Sequence, residues 1–249
     1  MSLQIRTKTT LNFKNTKIIN NIIKSILGYY QLRISRGNSS IFDYNFNNDQ
    51  DFSLILIGAH NGRKSKKLIE HALKFGKICL VEPTPNLFNK LKNQYNSYKD
   101  IYLINKCITH TESKSIDFFI TSEMSNDLHE YGDQLGSVNP MHSINHDKNF
   151  KKFTKKINVP SLTINRLLSE INCNSIDYLF IDTEGSDIEI LLSFPFHKIL
   201  PKKIIFEHKF SDGHELIGKK FVKCLNLLID NNYKIKIIDS ENTEALLMI

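Results

Sequence analysis

Short apolar segments alternate with amphipathic helical segments from residue 53 onward, and this alternation restricts the chain to few folds. The apolar segments, predicted to be strands, are 53–57, 77–82, 101–108, 176–182 and 203–207. Helical patterns occupy 65–75, 86–95, 161–170, 186–193 and 215–231. Strands that are separated by helices of this length predict parallel βαβ units in one doubly wound sheet.

Two more strand patterns, 233–238 and 245–249, follow one another closely and predict an antiparallel hairpin at one edge of that sheet. Segment 115–121 alternates like an edge strand. The expected fold is therefore α/β, with a mostly parallel seven-stranded sheet and a C-terminal hairpin. A length of 249 residues suits one such domain, which we place at 51–249 behind a separate N-terminal arm at 1–50.

The N-terminal arm carries the net charge of +7, because its first 42 residues include lysines and arginines but no acid. Apolar residues recur at helical spacing between Ile18 and Tyr30, which predicts an amphipathic helix. Packing of this helix on the domain is the favoured interpretation. A basic helix that contacts an anionic membrane surface or nucleic acid is the alternative.

The four cysteines are scattered and form neither a CxxC pair nor a zinc-ligand pattern. This usage favours a reducing, cytoplasmic location. No apolar run approaches the roughly 20 residues that span a bilayer, and no secretory signal pattern follows the start. A polar stretch at 121–160 shows little periodicity, and long insertions of this kind are typical of lids or binding loops. Disorder is the simpler alternative.

Polar and glycine residues follow the predicted strands where a doubly wound sheet binds its ligands. The first strand leads into Gly58-Ala59-His60-Asn61-Gly62, a loop whose glycines allow a tight turn and close approach to a ligand. The second strand ends in Glu82, at the position where a carboxylate accepts hydrogen bonds from ribose hydroxyls. The spacing is not GxGxxG, which disfavours a dinucleotide site and makes a nicotinamide dehydrogenase the weakest interpretation.

Acids also follow the later strands. Asp182 ends the strand at 176–182, and Glu184 follows it. Glu207 ends the strand at 203–207, and His208 follows it. Carboxylates at one rim of a sheet need a cation or hydrogen-bond partners. If the substrate is an alcohol, a general base is required, and His208 is the first candidate, with Asp182 and Glu184 next. Glu207 is expected to orient the acceptor or the histidine.

A metal ion is a minor alternative. Asp182, Glu184 and Glu207 could offer oxygen ligands to Mg²⁺. His129, His142 and His146 could suggest zinc, but without neighbouring cysteines they are better interpreted as scattered loop histidines. We therefore expect no metal site.

Several motifs together resemble one known family. They are LIGAHNG, VEPTPNLFNKLK, INKCIT, VPSLTINRLL and above all IDYLFIDTEGSDIEILL followed by IIFEH, in this order across 52–249. They are similar to the FkbM-type S-adenosylmethionine-dependent methyltransferases. The resemblance implies a class I methyltransferase (Rossmann-like) fold, S-adenosylmethionine as cofactor, and O-methylation.

The resemblance also implies residue roles. It places Gly58, Ala59, His60, Asn61 and Gly62 at the methionine end of the cofactor, Glu82 with Pro83 at the ribose, and Asn105 and Cys107 near the adenine. Asp182 and Glu184 fall near the methyl group. The family usually has an acid where this chain has Leu56, and Asn where it has His60. Asp182 is expected to take over part of the role of that missing acid.

The predicted function is methylation of a hydroxyl on a sugar, glycan or small natural product. The alternatives are a nucleic-acid methyltransferase or binding module that uses the basic arm, a membrane-peripheral enzyme acting on lipid-linked glycans, and a degenerate homologue with weak cofactor binding. The oligomeric state is open.

Overall fold

The computed structural model describes residues 11–12, 46, 49–122, 127, 132–213 and 215–248, and a seven-stranded sheet runs through their centre. In spatial order its strands are β4 (Ile101–Ile104), β3 (Lys77–Val81), β2 (Phe52–Ile57), β8 (Ile176–Ile181), β9 (Lys203–Glu207), β12 (Asn242–Leu247) and β11 (Tyr233–Ile237). All neighbouring pairs are parallel except the two that involve β12. The predicted doubly wound sheet and its C-terminal hairpin are therefore confirmed.

Helices cover both faces of the sheet, so β2 is buried along its whole length. Its apolar run without polar alternation is the pattern of a central parallel strand. Ile55 and Ile57 belong to the core on one face, and Leu54 and Leu56 belong to the core on the other. The first face carries α4 (Ile164–Glu170), α5 (Asp187–Leu192) and α6 (Lys219–Asp230), and the second carries α1 (Lys66–Ala72) and α2 (Pro85–Tyr95).

The predicted insertion contributes to a second, three-stranded sheet with the order β5 (Cys107–Thr109), β7 (Thr154–Thr163) and β6 (Ser115–Thr121). Between β6 and β7 the described residues form 3₁₀ turns at Gly132–Gln134 and Lys148–Lys152 and the short helix α3 (His142–His146). The end of the stretch assigned to 121–160 is thus a strand, antiparallel to β6.

Several predicted elements have different bounds in the structure. The strand predicted at 101–108 is two strands, because β4 belongs to the central sheet and β5 pairs with β7. The helix predicted at 161–170 begins only at Ile164. Thr163 still belongs to β7, and its side chain caps the helix by accepting the N–H of Arg166 at 3.4 Å.

The helix predicted at 215–231 also begins later, at Lys219. The Asp212 carboxylate accepts the N–H groups of Gly218 and Lys220, at 2.8 and 3.0 Å, and this fixes the start of α6. Leu216–Ile217 form β10 instead, paired with β1 (Leu11–Asn12). The helical pattern predicted between Ile18 and Tyr30 lies outside the described residues.

None of the helices in the described part of the chain is long and apolar enough to cross a membrane.

Candidate active site

A cleft of about 260 Å³ opens at the carboxyl ends of β2, β3, β8 and β9. The position is that expected for the ligand of a doubly wound sheet. Nine residues predicted for the site line it: Gly58, Ala59, His60, Glu82, Pro83, Cys107, Asp182, Glu184 and Glu207. Parts of the chain as far apart as residues 58 and 207 therefore meet in one cavity.

The glycine loop after β2 approaches the end of β8 too closely for any side chain. Gly58 has φ of +88°, and a Cβ on it would lie 1.7 Å from the backbone oxygen of Asp182. Gly62 has φ of +75°, and a Cβ there would lie 2.8 Å from the Leu91 side chain on α2. Gly58 thus forms the floor of the cleft. Gly62 and its neighbour Asn61 do not line the cleft but hold the loop against the helix.

Glu82 is buried at the end of β3 and ties the two loops together. Its carboxylate accepts the N–H of His60 at 2.9 Å and the N–H of Thr84 at 2.8 Å. Burial raises the pKa of Glu82, and the two donors oppose that rise. The side chain of Asn105, predicted near the adenine, donates to the backbone oxygens of Glu82 and Pro83 and so supports this loop without lining the cleft.

Carboxylates crowd the other side of the cleft. Asp182, Glu184 and Glu207 line it, and Asp187 lies buried behind them, where it accepts the N–H of Glu207 at 3.2 Å. Enclosure by the surrounding protein and the neighbouring acids raise the pKa of Asp182, although this residue is still exposed to solvent, and they raise the pKa of Glu184 to about 8 and that of Glu207 to about 11. Such crowding disfavours further negative charge and favours a positively charged ligand.

One carboxyl oxygen in this cluster makes no hydrogen bond to the described residues. Oε2 of Glu207 is buried and has no hydrogen-bond partner among the described residues. A buried polar atom without a partner is costly, so a ligand that forms a hydrogen bond there is favoured. S-adenosylmethionine, with its sulfonium and its ammonium group, fits a cleft of this charge.

His208 does not fit the role of general base that the sequence suggested. It is 1% exposed and is absent from the lining of the cleft. Its ring stacks on Phe221 of α6 with centroids 5.0 Å apart, and its Nδ1 pairs with the Thr243 hydroxyl at 2.9 Å. Because successive residues of an extended chain point to opposite faces, Glu207 faces the cleft and His208 faces the core.

The buried position of His208 predicts a specific acid sensitivity. Burial lowers its pKa from 6.5 to about 4, although the charge of Asp239 opposes this shift. The unfolded chain therefore binds more protons than the folded one between these values, and the free energy of unfolding falls as the pH falls through that window. In His208→Asn, whose side chain can still bond Thr243 but does not titrate, we expect the loss to be smaller by about 3 kcal/mol.

Urea denaturation at neutral pH and near pH 4 measures this difference. His197→Asn, which changes an exposed histidine, is the control and should behave like the wild type. Equal acid sensitivity of His208→Asn and the wild type would show that His208 does not titrate in this way.

Sequence reasoning missed several residues of the cleft. Glu241 comes from the turn between β11 and β12, and Lys64 comes from the loop before α1. The insertion and its flanking strand add Phe118, Gln134, Gly136 and Val138. Glu241 pairs with Lys209 at 2.6 Å. The only sequence signal for Glu241 is that it is a polar residue in a turn next to the rim. Polar residues are common in turns, so this signal is not specific.

The histidines of the insertion are not scattered. His142 and His146 lie with Glu184, and one ligand atom of each falls within 4.8 Å of the other two. Within the described part of the chain this is the only such group of three, so Asp182, Glu184 and Glu207 do not converge as a magnesium site would require. His129, the third predicted zinc candidate, lies outside the described residues.

The order of the central strands and the position of the cleft define a class I methyltransferase fold. The family model described as methyltransferase FkbM domain matches residues 57–235 of the chain. The chain therefore belongs to the FkbM methyltransferase family, and the resemblance in its motifs is confirmed. It is an S-adenosylmethionine-dependent methyltransferase.

Solved structures with a similar fold are distant in sequence. Precorrin-6y C5,15-methyltransferase from Geobacter metallireducens GS-15 is 10% identical, with 79% of this chain and 80% of that chain covered and a TM-score of 0.40. Fibrillarin from Aeropyrum pernix, with natively bound S-adenosyl-L-methionine, is 10% identical, with 81% and 68% covered and a TM-score of 0.38. Methanococcus jannaschii fibrillarin pre-rRNA processing protein is 13% identical, with 82% and 70% covered and a TM-score of 0.41. No curated protein sequence matches significantly.

Proposed function

We propose that this methyltransferase transfers the methyl group of S-adenosylmethionine to a hydroxyl oxygen of a sugar, glycan or small natural product. The observation that carries the proposal is the meeting of Gly58, Glu82 and Asp182 around one cleft. In this arrangement the carboxylate of Glu82 accepts hydrogen bonds from the ribose hydroxyls. The apolar lining from Cys107, Ile108 and Phe118 suits the adenine.

The carboxylates on the far side of the cleft receive the cationic part of the cofactor. Leu56 stands where the family usually has an acid, and its side chain is 1% exposed in the core, so it cannot hold the ammonium group. Asp182, whose backbone oxygen lies beside Gly58, lines the cleft and is the residue to which we assign that role. When bound, the cofactor supplies an electrophilic methyl group.

The protein's own contribution to methyl transfer is mainly alignment of the acceptor oxygen with the methyl carbon. The walls from the insertion, Gln134, Gly136 and Val138, enclose the acceptor. Since His208 faces the core, the carboxyl groups of Asp182, Glu184 and Glu207 are left to orient the hydroxyl. The positive charge of the bound cofactor lowers their raised pKa values, so that a carboxylate is present to receive the proton of the hydroxyl. The four cysteines are free and buried, in keeping with a cytoplasmic enzyme.

Calorimetric titration of the full chain with S-adenosylmethionine, and with its demethylated product, tests the cofactor before any acceptor is known. We expect saturable binding of one molecule per chain. Incubation with ¹³C-methyl-labelled cofactor and a panel of sugars and glycosylated natural products then tests the acceptor, because the ¹³C shift of the transferred methyl separates oxygen, nitrogen and sulfur attachment. Absence of cofactor binding, or a label found only on nitrogen or sulfur, would refute the proposal.

A further inference from the structure

His142, His146 and Glu184 form a compact group that methyl transfer from a sulfonium does not require. The two histidines are four residues apart on α3, so they lie on one face of the helix. Both rings pack edge-on against Phe210, with centroid distances of 4.7 and 5.4 Å. Nε2 of His142 lies 2.9 Å from Oε2 of Glu184. Helix α3 of the insertion is thus held against the residues that follow β8.

The backbone at Glu184 helps to create this group. Glu184 has φ of +55°, a left-handed conformation that residues with a side chain seldom adopt. Such strain is found mostly at functional sites, where the surrounding structure maintains it. Here the strained residue meets two histidines from a segment some forty positions away in the chain.

We propose that His142, His146 and Glu184 bind a divalent transition-metal ion, with Zn²⁺ as the best match. Two imidazoles and one carboxylate are a ligand set that zinc takes in catalytic sites, where a fourth position stays open. Imidazole ligands disfavour Mg²⁺, which prefers oxygen. Zinc–ligand distances of about 2.0–2.2 Å require ligand atoms roughly 3.3 Å apart. On binding the ion, the distance of 2.9 Å between His142 Nε2 and Glu184 Oε2 must therefore lengthen slightly. The other distances between ligand atoms, which are at most 4.8 Å, must shorten.

The surroundings suit a partly enclosed ion. His142 is 3% exposed, and a small cavity of about 40 Å³ lies beside it and Glu184. That volume is large enough for a water molecule. Glu184 lines both this cavity and the main cleft. An ion bound to Glu184 would therefore link the insertion to the wall of the cleft. It would also lie beside the acceptor, where it could act as a Lewis acid, and this second role rests on the proposed function.

The test uses the full chain after removal of metal with a chelator, with Zn²⁺ and then Co²⁺ as probes. Calorimetry and metal analysis should give one Zn²⁺ per chain, and Co²⁺ should give the visible absorption of a low-symmetry site. His146→Asn and Glu184→Gln should each weaken Zn²⁺ binding by more than about 100-fold, beyond the 10–100-fold loss typical of a supporting residue. His110→Asn changes an exposed histidine after β5 and should bind Zn²⁺ like the wild type.

Thermal unfolding guards against a variant that merely misfolds. Zn²⁺ should raise the midpoint of the wild type and of His110→Asn, but not that of His146→Asn, when all start from a folded, metal-free state. Failure of the wild type to bind Zn²⁺, or unchanged binding by His146→Asn, would overturn the metal site. Cofactor titration of the metal-free protein separates the two proposals: cofactor binding without zinc binding overturns only the metal site, and the reverse result overturns only the proposed function.

Discussion

Gly58→Ala is expected to lose S-adenosylmethionine binding and to destabilise the protein by about 2–6 kcal/mol. Two effects add. A side chain at φ of +88° costs about 1–3 kcal/mol of backbone strain. The new Cβ would also lie 1.7 Å from the backbone oxygen of Asp182, so β2 and β8 must separate at the rim, which adds an overpacking cost of about 1–3 kcal/mol. Chemical denaturation followed by circular dichroism measures the first result, and calorimetry with the cofactor measures the second.

Gly185→Ala is the matched control for stability. Its φ of +114° is also strained for alanine. A Cβ at this position would meet only the Cβ of Phe210, at an ordinary contact distance of 3.7 Å. This variant should therefore suffer the backbone strain without the overpacking. The difference between the two glycine variants isolates the close approach of the loop to Asp182. A Gly58→Ala protein as stable as Gly185→Ala, and with unchanged cofactor affinity, would show that the loop is not constrained in this way.

Glu82→Gln is expected to weaken S-adenosylmethionine binding by about 10–100-fold while the protein remains folded. Hydrogen bonds to a charged group contribute about 1.5–3 kcal/mol, and the amide cannot accept from the ribose with both of its terminal atoms. It also cannot satisfy both the His60 and the Thr84 N–H groups, so the two loops that the carboxylate joins would shift. Calorimetry with the cofactor and with its demethylated product gives the affinity.

Glu70→Gln is the control for the loss of a negative charge. Glu70 is exposed on α1, where it pairs with Lys66, and it does not line the cleft. Its substitution should leave the cofactor affinity within about twofold, since it removes an exposed charge without changing any group that lines the cleft. If Glu82→Gln bound the cofactor as tightly as Glu70→Gln, the ribose would have to be held by another residue.

The rim of the cleft was largely predictable from the sequence. Gly58 and Glu82 follow β2 and β3 directly, and neighbouring parallel strands bring their carboxyl ends to one rim. The same rule found Asp182 and Glu207. It failed for His208, because the end of a strand fixes the position of a residue along the sheet but not the face to which its side chain points. Period-two alternation puts Glu207 and His208 on opposite faces, but which of the two faces the cleft depends on how the chain closes over the rim.

The limits of the insertion were less predictable. The residues of β7 combine exposed lysines with buried apolar residues, and a strand that is half exposed looks like a loop until its partner is known. The start of α6 depends on the Asp212 carboxylate, which acts on residues six and eight positions further along. Local periodicity does not include such contacts.

The sequence by itself determined the layers of this protein, because runs of apolar residues without polar alternation form central strands whatever their neighbours are. It also determined the rim at which the cleft opens. Only the tertiary structure decided that His142 and His146 meet Glu184 and that His208 turns into the core. The physical reason is that contacts between distant segments depend on how loops close over the sheet, and the pattern within one segment does not specify where another segment packs.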